Sequence, residues 1–470
     1  MKNNLNHSIH RRAFVGGMSA SLIACAAPQK TWGKTSADVI IIGAGLAGLH
    51  AASIIENAGY KAIILEGNDR TGGRLYTLDA LPGRPDAGGI QIGPDYERFH
   101  AIADKLGVER YVPPLSLRDA LYNIGGQSLT ASQWLGAKVN SLSPNEKATP
   151  PDTLFFRYIA GLPKLENVAD WMKQEAQTID IPFKAFLVQQ GASEEAQRLI
   201  NANLNGNGIN TLSALHVART MAIFAKGRGP IQFVRGGSQQ MTNAMAGALN
   251  SEVILRSVVS AIQVGSDGVE IRLAGGRKLA ARHVICTAPF SALREMRIEA
   301  ELPPEIRLMI AKLPYTRASF AYLQATEPFW MNDGLPETIW SDDPLLCRVF
   351  VLGNDPAMLK VWTNGGGADL VDGMSDADAG AAMIGRIETA RPSAVGKLKL
   401  VRMFSWQKNR FARGIYHHIG AGQAAPLATA SKYQGRRLHF AGEHLAQENS
   451  GIEGALESGE RAAAQVLRNL

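Results

Sequence analysis

Unbroken apolar runs closed by glycine are the first pattern along this chain. Val39 to Ile42 is a β-branched run with no polar interruption, as expected of a parallel strand covered on both faces. Gly43-Ala44-Gly45 ends it, and Leu46 to Asn57 predicts a helix. Lys61 to Leu65 then reads as a second strand. Strand, tight turn, helix and strand in that order predict a parallel βαβ unit. Farther along, short strands are expected at Val253–Leu255, Val258–Val264, Val269–Leu273 and His283–Cys286, then at Ala318–Leu323 and Leu359–Trp362. The block 101–230 reads as largely helical, and a final helix is expected from Ile452 to Leu467. Internal repeats and low-complexity tracts are absent. The fold class is α/β.

The turn in the first unit carries the chemistry. Gly43, Gly45 and Gly48 form G-x-G-x-x-G: the first glycine permits the turn, the second lets backbone approach a pyrophosphate, and the third lets the helix lie close to the sheet. The helix start then offers free N–H groups and a positive dipole end to the phosphates. Glu66 closes the second strand at about the 20-residue spacing where a carboxylate accepts hydrogen bonds from ribose hydroxyls. Together these predict a grip for an ADP-containing cofactor.

Beyond Glu66 come Arg70, Gly72-Gly73-Arg74, Asp86-Ala87-Gly88-Gly89 and Gly93. Near the other end stand Phe440-Ala441-Gly442-Glu443, Gly451-Ile452-Glu453-Gly454-Ala455 and Ser458-Gly459-Glu460-Arg461-Ala462-Ala463. These stretches resemble the flavin amine oxidase (monoamine oxidase-like) family over nearly the whole chain. The resemblance implies FAD, with Gly73, Arg74 and Gly89 along its diphosphate and ring. It places Glu443 at the ribityl–pyrophosphate region and the helix start at Ile452 against the isoalloxazine carbonyls. Val234-Arg235-Gly236-Gly237-Ser238 and the small strands after it match the family's second FAD-binding segment, which puts the Val258 backbone at the adenine. The implied architecture is a discontinuous Rossmann-like FAD-binding domain (35–100, 233–289 and 411–470) interleaved with an α+β substrate-binding domain (101–232 and 290–410).

The chain departs from the family's pattern around the substrate. Where many members attach FAD through a cysteine, this chain has Ile415 in Arg413-Gly414-Ile415-Tyr416, so noncovalent FAD is expected. Tyr416 matches one wall of the family's aromatic pair. Gly451 stands where the other wall belongs, implying a wider approach. The lysine that in many relatives holds a water against flavin N5 maps to Phe320, and its strand contains no lysine, so slow reoxidation by dioxygen or a different acceptor, such as a periplasmic cytochrome or quinone, is expected. His417 and His418 are candidate bases for a substrate ammonium, with at most one facing the flavin if the segment is a strand. Trp406 resembles an aromatic at the rim. Asn203, Asn205 and Asn207 fall where relatives line the cavity, and are also common turn formers. An L-amino-acid substrate is disfavoured, because Asp95-Tyr96 follows the Gly93-Pro94 step where such relatives carry an arginine. Asp95 is instead a candidate helix cap or cation attractor.

Composition narrows the remaining classes. At 470 residues and 46% hydrophobic content the chain can bury a large core. Its net charge of +7 overstates the basic character, because Lys2, Arg11, Arg12 and Lys30 fall in the first thirty positions with no acid among them, leaving about +3 for the rest. No basic run interleaved with aromatics points to nucleic acid. Cys286 and Cys347 lie in apolar surroundings, and no Cys/His cluster has metal-ligand spacing. Arg11-Arg12 before the apolar stretch Val15 to Ala27 predicts a twin-arginine export signal over residues 1–30, too short to span a bilayer. A periplasmic location follows, by cleavage near Ala24-Cys25-Ala26 or by lipid anchoring through Cys25. The expected activity is oxidation of a small-molecule amine at its C–N bond, with dioxygen or a periplasmic acceptor taking the electrons. Carbon–carbon desaturation of an apolar substrate, or a flavin carrier without amine turnover, are the rival readings. The sequence leaves the oligomeric state open, a homodimer included.

Overall fold

The computed structural model describes residues 36–113 and 119–470, so the expected export signal and Cys25 lie outside the described residues. The elements that build the site are, in chain order, β1 (Ala37–Ile42), α1 (Leu46–Asn57), β2 (Ala62–Leu65), α2 (Glu97–Leu106), α3 (Ala214–Lys226), β3 (Lys278–Cys286), β4 (Ala318–Ala325), β5 (Arg348–Asn354), β6 (Ala357–Asn364), β7 (Leu438–Phe440) and α4 (Gly451–Leu467).

An eight-stranded sheet forms the first layer. Its order is Arg297–Glu299, Val259–Val264, Val269–Leu273, β3, β1, β2, Glu252–Ile254, with β7 also on β3. β3 serves two neighbours on one edge because it is long. Lys278–Ala281 pairs antiparallel with Val269–Arg272, and Val284–Cys286 pairs parallel with β7. Its other edge runs parallel to β1 in the register Ile40↔Val284, and β1 runs parallel to β2 in the register Ile40↔Ile63. Val39, Ile40 and Ile41 are fully buried, as an apolar run covered on both faces requires. Alternate residues feed two cores: Ile40 and Ile42 one, Val39 and Ile41 the other. The strand Arg297–Glu299 belongs to this sheet, beyond the expected boundary at 289.

The second sheet has seven strands in the order Leu398–Ser405, β4, β6, β5, Thr338–Ser341, Ala120–Ile124, Gln127–Leu129. Here β4 pairs antiparallel with β6, placing Phe320 opposite Trp362 and Tyr322 opposite Lys360. Helices between residues 154 and 226, α3 among them, pack with Ala120, Tyr122 and Trp340 of this sheet. The last helix returns to the first layer. Gly459 of α4 meets α1 so closely that a Cβ there would fall 2.4 Å from the Ala47 carbonyl oxygen.

Candidate functional site

The glycine turn between β1 and α1 is fixed from three sides. The Thr287 hydroxyl donates to the Ile42 carbonyl at 2.8 Å, and a Cβ on Gly43, whose φ is +108°, would meet that hydroxyl at 2.4 Å. A Cβ on Gly48 would lie 2.0 Å from the Gly43 carbonyl oxygen, so only glycine lets α1 start there. Gly45 differs, its Cβ position meeting nothing nearer than 3.8 Å, which leaves its backbone face open to the cavity. Glu66, 5% exposed, ties the turn to the end of β2: one carboxylate oxygen accepts the Ala44 amide at 2.8 Å and the other accepts Asn68.

A second glycine strip runs beside the first. Gly72 and Gly73 have φ of +109° and +57°, and a Cβ on Gly88 would overlap the Arg74 carbonyl oxygen at 1.8 Å. Asp86 anchors the strip by accepting from Thr77 and Ser238. Burial raises its carboxyl above the ordinary range, and these hydrogen bonds pull against that rise.

Arg74 links this strip to the last quarter of the chain. Its guanidinium donates to Glu443 at 2.7 Å, and the other Glu443 oxygen lies 2.5 Å from His417 Nδ1. Burial would raise the Glu443 carboxyl, but His417 and Arg74 beside it hold it well below the usual range. The carboxylate therefore accepts and Nδ1–H donates. That leaves the other ring nitrogen, His417 Nε2, buried and without a partner on a residue of the cavity wall. His418 turns the other way, onto the Thr316 hydroxyl at 3.1 Å, and burial pushes its pKa down to about 3. His216 of α3 and His444 complete the cluster, both depressed chiefly by burial, His444 to about 3.

These parts border one cavity of about 1350 Å³. Of the residues singled out in the sequence, its wall includes Gly43, Gly45, Glu66, Gly73, Arg74, Gly89, Val258, Gly442, Glu443, Ile452, Tyr416 and His417. Gly48 stands behind the turn. Asn203 and Asn205 reach the wall, whereas Asn207 braces Tyr315 and Arg317. Gly451 also borders the cavity, and a side chain there would enter open space, so the approach is wide on that side. Phe320 and Trp406 are corrected from the sequence-based expectation. Both are fully buried in the packing behind the wall, with Trp406 Nε1 donating to the Ala87 carbonyl at 2.7 Å. Asp95 does not cap α2: Tyr96 holds that position without a side-chain bond, and Asp95 Oδ2 is buried without a partner.

Lys360 was missed. The premise that no lysine is at hand holds for β4 alone, because neighbouring β6 carries Lys360 to the cavity wall. Its Nζ donates to the Asp86 carbonyl at 3.1 Å and lies 4.0 Å from the Phe320 ring centroid and 4.8 Å from that of Trp362. Burial lowers its pKa to about 7, against a smaller upward pull from Asp86. The only sequence signal was a lone lysine in the apolar run Ala357–Trp362, and polar interruption of a buried strand is what could have revealed it.

The residues present fit FAD. Two glycine strips that side chains would fill, the carboxylate at the end of β2 and the start of α4 border one cavity large enough for a dinucleotide and a substrate together. Among the described residues no group of His, Cys, Asp and Glu is arranged to hold a metal ion.

Comparison with known proteins agrees. A family model described as flavin containing amine oxidoreductase matches residues 46–467. The flavin-containing amine oxidase of Danio rerio is 25% identical, covering 92% of this chain and 85% of its own length. An L-amino acid dehydrogenase of Synechocystis is 24% identical, covering 92% of this chain and 95% of its own. The solved structure of cyclohexylamine oxidase from Brevibacterium oxydans superposes with a TM-score of 0.76 at 24% identity, over 92% of this chain and 99% of that one, a likeness of fold. With the match extending from α1 to the end of α4, this chain belongs to the flavin-containing amine oxidoreductase family.

Proposed function

We propose that the protein oxidises the C–N bond of an amine with noncovalently held FAD, giving an imine that water splits to a carbonyl compound and free amine. One observation carries this reading. The dinucleotide grip at Gly43–Gly45 and Glu66 opens into the same cavity as an unpartnered imidazole nitrogen, His417 Nε2, beside Tyr416. FAD, when bound, accepts the electron pair of the substrate's α C–H bond. The chain's residues prepare the substrate for that. Glu443 fixes the His417 tautomer, so Nε2 can take a proton from the substrate ammonium, and only the neutral amine has the lone pair that stabilises the forming iminium. Tyr416 and the open side at Gly451 set the shape of the approach, and Lys360 supplies an amine that titrates near neutral pH. Ile415, on the wall where many relatives carry cysteine, offers no sulfur for a thioether. The family match does not favour the desaturation alternative.

Anaerobic mixing with primary, secondary and aromatic amines tests the reading. Bleaching of the flavin absorbance establishes C–N oxidation, and the rate at which colour returns in air identifies dioxygen or another carrier as acceptor. A flavin that dithionite reduces but no amine bleaches overturns it. Acid precipitation should leave all the yellow colour in the supernatant, and colour in the pellet refutes noncovalent binding. We further propose export to the periplasm, supported by Arg11-Arg12 and the apolar stretch behind them. An intact N-terminus on protein purified from the native host's cytoplasm would refute it.

A further inference from the structure

Arg348 opens β5 and lines the cavity, as do Tyr416, Trp362 and Asn205. One arm donates to Asn205 Oδ1 at 2.6 Å. The same Asn205 oxygen lies 3.4 Å from Asn364 Nδ2, and Asn364 Oδ1 in turn accepts Trp362 Nε1 at 2.6 Å, so a chain of amides holds the arginine in place. The guanidinium carbon is 5.7 Å from the centroid of the Trp362 ring, its register partner on β6. What it lacks is an anion. No Asp or Glu among the described residues pairs with it, residues 1–35 and 114–118 contain none, and its Nε is buried with no acceptor. Of the other cations on the wall, Arg74 is answered by Glu443 and Arg84 by Asp79, while Arg219 and Lys360 donate to backbone carbonyls and Arg410 lies over the Phe411 ring. Nearby, Asn203 Oδ1 is a buried acceptor without a donor.

A guanidinium held by side-chain amides, facing a cavity and left without a counter-charge, is built to receive a planar anion. We infer that Arg348 anchors the carboxylate of the substrate, so that the amine oxidised here is an amino acid, with Asn203 Oδ1 accepting from its amino group. This runs against the expectation drawn from Asp95-Tyr96. That expectation looked for the carboxylate's partner after the Gly93-Pro94 step, whereas this chain provides a cation from the second sheet. The inference rests on the amine-oxidising reading above. The products become a 2-oxo acid and ammonium. The α C–H bond breaks with its electron pair passing to bound FAD, the nitrogen lone pair closes the C=N bond, and water hydrolyses it. Dioxygen or another electron acceptor restores the cofactor.

The test uses the FAD-loaded protein and matched pairs, L-phenylalanine with phenethylamine and L-lysine with cadaverine, each followed by anaerobic loss of flavin absorbance. The acid of at least one pair should bleach more efficiently than its decarboxylated partner by about 100-fold or more. R348M should collapse that ratio, and R348K should recover part of it. Calorimetry with 3-phenylpropanoate, which carries the carboxylate and no amine, should show binding to the wild type and none to R348M at equal FAD content. Amines that bleach as well as their acids, or an acid-to-amine ratio that R348M leaves unchanged, overturn the inference and leave the amine-oxidation reading standing. If no member of either pair and no amine of the wider panel bleaches the flavin, that reading falls and the inference with it. Should R348M fail to fold, the wild-type pairs and R348K decide the matter.

Discussion

Replacing Lys360 with methionine should stabilise the protein at neutral pH and impair its reaction with dioxygen. The side chain is buried, and its pKa is lowered to about 7 from the 10.5 of a free lysine. Between those values the unfolded chain holds a proton that the folded chain does not, so wild-type stability rises with pH, by about 1.4 kcal/mol per unit, and falls as pH drops toward 7. At pH 7 the accumulated cost is about 4 kcal/mol. Methionine has a similar volume and no charge to desolvate. It forfeits the bond to the Asp86 carbonyl and the contacts with Phe320 and Trp362, worth about 1 kcal/mol together, and that carbonyl keeps the Tyr322 hydroxyl at 3.0 Å. The net expectation is a gain of about 2–4 kcal/mol, or about 2–4 °C in melting temperature for a chain this long. The assay is denaturation of both proteins with saturating FAD at intervals from pH 7 to 10. The variant should lead at pH 7 and lose its lead as pH rises toward 10.5. Curves that run parallel, or a variant weaker at pH 7, would refute the reasoning. In air, the same variant should slow the return of flavin colour more than it slows bleaching.

Other outcomes follow from the same geometry. His418 and His444 are held neutral by burial with pKa values near 3, so the unfolded chain alone takes up their protons as pH falls below about 6.5. Each should lower stability by up to about 1.4 kcal/mol per pH unit between 6.5 and 3, seen as a falling melting temperature, and a flat profile over that window counts against it. Glu443→Gln leaves Arg74 and His417 facing a neutral amide, and should cost about 3–5 kcal/mol together with much of the bound FAD. Denaturation and flavin content check this, and a loss below about 1 kcal/mol would show that the cluster is not coupled. Gly48→Ala drives a Cβ to 2.0 Å from the Gly43 oxygen and should yield colourless protein, so a yellow, fully loaded variant contradicts the steric argument.

How much of this was legible in the sequence depended on whether the contacts were local. β1, α1 and β2 could be read because a βαβ unit is short and its glycines, apolar run and closing acid lie within one stretch. The observed α1 has the bounds expected of it, and most strands fall within a few residues of their expected place. Lys360 and Arg348 escaped notice because what matters about them is register between strands. Phe320 stands beside Lys360 only because β4 pairs with β6 in one particular alignment, which no local pattern specifies. Similarly, the contact of His417 with Glu443 joins two segments whose approach is set by β7 adding to β3. Trp406 and Phe320 were misplaced for the converse reason, since an aromatic near a site and an aromatic behind it have the same sequence signature.

The first sheet draws its strands from the beginning, the middle and the far end of the described chain, and α4 closes against α1 through Gly459. A ribosome making this protein exposes the glycine turn early, but the surfaces that complete the FAD site emerge only with β7 and α4. Until then β3 has a bare edge along Val284–Cys286 and α1 lacks the partner that buries Ala47. Completing the site therefore waits on contacts of large sequence separation, which form slowly. Loading with FAD becomes a report that every element from β1 to α4 has been made and assembled, which a cell can read as a licence for whatever comes next.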